Sequence, residues 1–127
     1  MKLNLDCMRD ILIEMEKAEY GEPIYPQKIY NALPQYSQNE INYSFIKLKE
    51  ANFIKAVTHS RMDYDTTVSR LDDITYEGHQ FLASIRSDTI WNKTKGILNE
   101  VGTTSISSVI QTASTIAQAI ISKKLGL

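Results

Sequence analysis

One cysteine, Cys7, stands in 127 residues. A lone thiol has no internal partner, which excludes a secreted scaffold held by disulfides and suits a reducing cytoplasm. No apolar run approaches the roughly 20 residues a bilayer span requires, and the N-terminal MKLNLDCMRD carries charges where a signal peptide would be apolar. Excess charge of either sign is also missing: 14 basic side chains face 15 acidic ones. Nothing global draws the chain to polyanions, so any nucleic-acid surface must be local. There is no glycine-rich phosphate loop and no nucleophile motif. His59 and His79 lack cysteine or histidine partners at metal-ligand spacing, although Asp63 and Asp65 follow His59. Asp72 and Asp73 are adjacent and diverge, so they make no catalytic pair. The expectation is a soluble cytoplasmic protein that is not an enzyme and holds no cofactor and no metal. The length suits one ordinary domain and is short for two with a linker.

What is present begins with a helix. Leu5, Met8, Leu12 and Met15, helped by Ile11, recur at helical spacing, with Asp6, Arg9, Asp10, Glu14 and Lys17 on the other face and Asn4 as N-cap. YGEPIYP interrupts it. Pro26 opens a short second helix that buries Ile29 and Leu33, and Pro34 ends it. Ser37 and Glu40 of SQNE form a capping box for a third helix, in which Ile41, Phe45 and Leu48 turn inward and Asn52 supplies a left-handed stop. Phe53 to Ser60 and Thr66 to Leu71 are rich in β-branched and aromatic residues and flank the polar turn RMDYD, which predicts a hairpin. Asp72 and Asp73 are expected to end it before a cap at Thr75. The helix that follows holds Phe81, Leu82 and Ile85 on one face, yet carries Gly78 in its first turn. Glycine there costs on the order of 1 kcal/mol against alanine, which closer packing across the core can return. His79 beside it reads as a partly buried hydrogen-bonding side chain.

The C-terminal third differs. TIWNKTKGILNEVG predicts a fifth helix with Ile90, Thr94, Ile97, Leu98 and Val101 inward, Trp91 beside them and Gly102 as its stop. SISSVIQTASTIAQAIISKKL predicts a sixth, with an apolar stripe of Ile106, Val109, Ile110, Ala113, Ala117, Ile120 and Ile121 and almost no charge before Lys123 and Lys124. Its serine, threonine and glutamine face is less well solvated than a charged one. The expectation is a homodimer through the helix from Ser105 to Leu125; the alternative is packing back on its own domain. The lack of aromatic and basic residues along it argues against a membrane surface.

Three short helices and a hairpin follow the order of a winged helix. The expected fold is mainly α with a small β-hairpin: a winged helix-turn-helix over residues 4–88, then two C-terminal helices over 89–127. INYSFIKLKEANFI resembles the recognition helix and following strand of bacterial winged-helix regulators, with Asn52 where those proteins place glycine. ITYEGHQFL resembles the opening of their helix after the wing. MKLNLDCMRDIL and GHQFLASIRSDTIWNK are similar to a family of small proteins of unknown function from Firmicutes, their phages and prophages. That similarity implies a phage or prophage setting and a winged-helix-like domain, and implies no activity.

With Ile41, Phe45 and Leu48 inward, the third helix presents Gln38, Asn39, Asn42, Tyr43, Ile46 and Lys47. Asparagine and glutamine match the major-groove edge of adenine, and lysine meets phosphates. The candidate partner is double-stranded DNA, contacted by Gln38, Asn39, Asn42, Tyr43 and Lys47, with Arg61 and Arg70 from the wing. Across Ser37 to Asp65, however, Lys47, Lys49, Lys55 and Arg61 are balanced by Glu40, Glu50, Asp63 and Asp65. The alternative is a protein-interaction module that engages a host or defence protein, with Tyr43 and Ile46 as anchors.

Overall fold

A computed structural model of the protein describes residues 1–61, 65–103 and 105–127, with the backbone alone for Arg61 and Asp65. The elements in chain order are α1 (Leu5–Met15), α2 (Pro26–Ala32), α3 (Gln38–Glu50), β1 (Ile54–Arg61), β2 (Asp65–Ile74), α4 (Tyr76–Ile85), α5 (Asp88–Val101) and α6 (Ile106–Lys124). They fall into two compact units, Met1–Gln80 and Phe81–Leu127.

In the first unit α1 starts where expected, with the Asn4 side chain accepting the Cys7 amide at 3.1 Å. Cys7, Met8, Ile11, Leu12 and Met15 are buried. So is Arg9, which the sequence places on the outer face; it follows Met8 around the helix, and the methylenes of an arginine lie readily along apolar surface. Burial pushes the Cys7 thiol up to about 11, which keeps it protonated as a core residue. Pro26 is the first residue of α2, and Ile29 and Leu33 are buried. The YGEPIYP segment does more than break the chain. Ile24 is buried and exchanges backbone hydrogen bonds with Leu71 at 2.9 and 2.7 Å, adding a single rung to the hairpin.

The capping box of α3 is complete, with both the Ser37 side chain and the Glu40 side chain engaged. Ile41, Phe45 and Leu48 are fully buried, and the Tyr30 ring lies 6.3 Å from that of Phe45. At the far end Asn52 takes φ 63°. Its amide donates to the Lys49 carbonyl and the Phe53 amide to the Leu48 carbonyl, both at 2.9 Å, the paired bonds of a Schellman stop.

β1 and β2 pair antiparallel from Ile54 opposite Ile74 to Arg61 opposite Asp65. The turn expected at RMDYD includes Met62 to Tyr64, which lie outside the described residues. Contrary to expectation, Asp72 and Asp73 do not end the hairpin; β2 runs through them to Ile74. Buried Ile74 opposite buried Ile54 favours the extra length, and Asp73 satisfies the Ile74 amide at 2.8 Å. The register shifts twice, leaving Ser69 and Asp72 as the extra residues on β2. Such bulges bend and twist a ribbon.

Thr75 then caps α4, accepting the Gly78 amide at 3.0 Å. The same hydroxyl donates to the Asn52 carbonyl at 2.6 Å, and the Thr75 amide donates to the Phe53 carbonyl at 2.9 Å. These bonds bring Gly78 against the backbone that leaves α3. A Cβ on Gly78 would collide with the Phe53 carbonyl oxygen, lie 2.9 Å from its carbon, and lie 2.7 Å from Ile74 Cγ2. The close approach inferred from the sequence is therefore real. His79, expected to be partly buried, is exposed on the outer side of the same turn.

In the second unit Phe81, Leu82 and Ile85 of α4 are buried. α5 packs on α6, with Trp91, Thr94 and Leu98 buried from one and Val109 and Ala113 from the other. Gly102 stops α5 at φ 81°, as expected. Ile97 and Val101, expected inward, are 43% and 70% exposed. Ile97 sits one residue, roughly 100°, around the helix from Leu98, and Val101 ends the helix without a following turn to cover it. The α6 stripe is covered unevenly: Ile106, Ile110, Ala117 and Ile120 are half-buried, and Ile121 is 49% exposed.

Two glycine substitutions separate packing from helix propensity. Gly78→Ala, forced against backbone that cannot turn aside, is expected to cost about 1–3 kcal/mol in urea unfolding. Gly96→Ala, within α5 and with nothing within 4 Å of the added carbon, is expected to stabilise by about 0.5–1 kcal/mol.

Candidate nucleic-acid interface

The outer side of α3 begins with Gln38 and Asn39, both exposed in the first turn after the capping box. Tyr43 is half-buried, and Lys47 Nζ lies 5.3 Å from the centre of its ring. Asn39, Tyr43 and Lys47, four residues apart, share one side of the helix, and Gln38 lies one residue, roughly 100°, around from Asn39. Asn42, between them in sequence, is engaged elsewhere: its Nδ2 donates to the Thr66 carbonyl at 3.2 Å and its Oδ1 accepts from the Val68 amide at 3.4 Å. Lys49 Nζ reaches Thr58 Oγ1 on β1 at 3.3 Å. α3 is thereby tied to both strands of the wing.

Three cations near this surface meet a carboxylate. Lys47 pairs with Glu50 at 2.8 Å, and that hydrogen bond holds its pKa above the ordinary value. Arg70 pairs with Asp72 at 2.6 Å, which raises its pKa in turn. Lys28, on α2, lies 3.6 Å from Glu22. The Arg61 side chain lies outside the described residues. A phosphate approaching Lys47 or Arg70 has to displace a carboxylate. The pairing of Lys47 with Glu50 is readable from their three-residue spacing, whereas the Asn42 tether has no local signal, because Thr66 and Val68 are distant in the chain.

At the N-terminus of α3, Glu40 accepts from Asn4 Nδ2 at 3.1 Å and from the Ser37 amide at 3.3 Å. The Asn4 bond, then the Ser37 backbone bond, hold its carboxyl below the usual glutamate value. The N-cap of α1 and the capping box of α3 are thus joined, and the joint orients the first turn that carries Gln38 and Asn39. Among the described residues no group of three or more histidine, cysteine or acidic side chains is placed to hold a metal, and no helix is long and apolar enough to cross a membrane.

A trihelical core closed by a β-ribbon, with the third helix against the ribbon, is a winged helix-turn-helix. Residues 2–105 match the family described as "Hypothetical protein (DUF2513)", and the chain belongs to that family. An uncharacterized protein of Haemophilus influenzae is 29% identical over 127 residues, spanning 99% of this chain and 100% of its own. Among solved structures, a PadR family transcription regulator from Clostridium difficile R20291 is similar in fold, with a TM-score of 0.50, 16% identity, and coverage of 76% of this chain and 98% of that one.

The lowered Glu40 value sets a direction with pH. A carboxyl whose folded pKa lies below its unfolded one contributes stability that is present above the unfolded value, 4.5 for an ordinary glutamate, and is lost as pH falls through the folded value. Urea unfolding at a series of pH values is expected to show Glu40→Gln with a shallower loss of stability below about pH 5 than the parent protein.

Proposed function

We propose that the protein is a winged-helix DNA-binding regulator, with α3 in the major groove of a duplex and the wing on the adjacent backbone. The observation that carries this reading is the exposed first turn of α3, which presents Gln38 and Asn39, with Asn39 heading the row that continues through Tyr43 and Lys47. Side-chain amides at the leading end of a helix suit adenine edges, and Lys47 and Arg70 suit phosphates. Arg61 joins them by its place at the end of β1. Because Lys28, Lys47 and Arg70 are paired with acids, sequence-independent binding is expected to be weak. Specificity then rests on the amides and on duplication of the contact.

A homodimer would supply that duplication by offering two half-sites to one duplex. The support is α6, where Ile121 is exposed and Ile110 and Ile120 stay half-buried after α5 has packed on it. Residues 4–88 are proposed as the DNA-binding domain and 89–127 as the dimerising extension. The similarity of MKLNLDCMRDIL and GHQFLASIRSDTIWNK to phage and prophage proteins supports a phage or prophage circuit in the cytoplasm as its setting.

Selection from a random duplex pool at low salt, followed by fluorescence anisotropy on the enriched sequence, tests the reading. Gln38→Ala with Asn39→Ala is expected to abolish discrimination between the selected and a scrambled duplex. Lys47→Ala is expected to lower the salt slope by about one while leaving discrimination intact. Glu50→Gln, which frees Lys47, is expected to tighten binding to any duplex a few-fold. Absence of duplex binding by the parent protein at any salt would remove the proposal. Sedimentation equilibrium is expected to give twice the chain mass for the parent and the single chain mass for Ile121→Lys.

A further inference from the structure

The wing is fixed to α3 at its base by the backbone bonds around Asn52, Phe53 and Thr75. A two-stranded ribbon held there and otherwise only by the rung of Ile24 with Leu71 and the exposed bond from Lys49 to Thr58 would swing at its far end, since an isolated hairpin is marginal by itself. Asn42 meets β2 near that far end. In an extended strand, the carbonyl before a residue and the amide after it point to the same side. The Asn42 carboxamide meets such a pair on either side of Thr67, donating to the Thr66 carbonyl and accepting from the Val68 amide. It occupies the place that the backbone of a further strand would take.

Few side chains can do this. The task needs one donor and one acceptor at a fixed separation, which a primary amide provides. A carboxylate has only acceptors, an ammonium only donors, and a hydroxyl a single centre. Glutamine carries the same group one methylene further out. Asn42 is also held firmly on its own helix, between fully buried Ile41 and Phe45, and its β2 partner Val68 is buried. The bulge at Ser69 follows at once and sets the local twist of the ribbon.

We infer that Asn42 is a positioning residue, whose carboxamide is committed to the β2 backbone before any duplex arrives and sets the spacing between α3 and the wing. This inference rests on the DNA-binding reading and refines it. Helix and wing meet the duplex as one preshaped jaw, without the ordering of a loose wing that would weaken binding. Base reading falls to Gln38, Asn39 and Tyr43, and Asn42 acts through Arg61 and Arg70 by holding the ribbon that carries them.

Nuclear magnetic resonance on the full chain tests the tie without DNA. In Asn42→Ala, hydrogen exchange at the Val68 amide is expected to rise by at least ~10-fold, with the amides of Phe45 and Leu48 unchanged as a control on folding. Residual dipolar couplings of β1 and β2 are then expected to cease fitting one alignment with α3. Asn42→Asp serves as a second variant: the tie is expected to be lost at neutral pH and regained on acidification, when a protonated carboxyl can again donate to the Thr66 carbonyl. Loss of packing alone would give no such recovery. Unchanged exchange and couplings in both variants would overturn the inference. With the selected duplex, Asn42→Ala and Arg70→Ala are expected to weaken binding non-additively and to lower the salt slope together. An intact slope with lost base discrimination would make Asn42 a base reader and overturn the positioning role. Failure of the parent to bind any duplex would strike the DNA reading alone, because the exchange and coupling measurements still decide whether Asn42 holds the wing.

Discussion

The carbonyl of Phe53 is where four elements of the first unit converge. It lies just beyond the stop of α3 and just before β1; it accepts the amide of Thr75, which follows β2; and Gly78, in the first turn of α4, lies against it. One residue earlier, Asn52 in the left-handed conformation turns its own carbonyl to the Thr75 hydroxyl. All of these are backbone groups or side chains bonded to them, so none can be repacked as an apolar side chain can. The direction in which the wing leaves α3 and the direction in which α4 leaves the wing are consequences of this one junction. A side chain on Gly78 would force both to change.

The Asn42 tether acts at the other end of the ribbon. A strand pair held at its base and near its tip behaves as part of the helix it is tied to, so the surface formed by α3 and the wing has a definite shape in the free protein. Its electrostatics are muted. Lys47 and Arg70 are each held by an acid on their own element, and the positive end of α3 is occupied by the carboxylate of Glu40. A surface built this way offers directional amide and phenol groups more than bulk positive potential. In the proposed DNA-binding role such a surface suits discrimination better than raw affinity.

The second unit follows a different logic. α5 packs on α6, burying Trp91, Thr94 and Leu98 from one helix and Val109 and Ala113 from the other. Ile97 and Val101 on α5 and Ile121 on α6 stay exposed, and α6 carries no charge before Lys123. These exposed side chains are the ground on which self-association through this unit is proposed.

Much of this could be read along the chain because its causes are local. Asn4, Ser37 with Glu40, Thr75 and Gly102 cap or stop helices through bonds to residues a few positions away, and Ile41, Phe45 and Leu48 declare a buried face by their spacing. Even the purpose of Gly78 was legible, because a glycine in an amphipathic first turn demands a close neighbour, although which backbone approached it was not. The remaining features depend on groups distant in the chain. The rung between Ile24 and Leu71, the passage of β2 through Asp72 and Asp73, and the commitment of Asn42 to Thr66 and Val68 each required knowing which unpaired backbone atoms would lie opposite. Helical order, caps and the short-range stops were thus determined by the amino-acid sequence itself, since hydrogen bonds within a turn need no other partner. The tertiary structure alone decided which face of α3 is free and which is spent, because that depends on where a strand more than twenty residues away comes to rest.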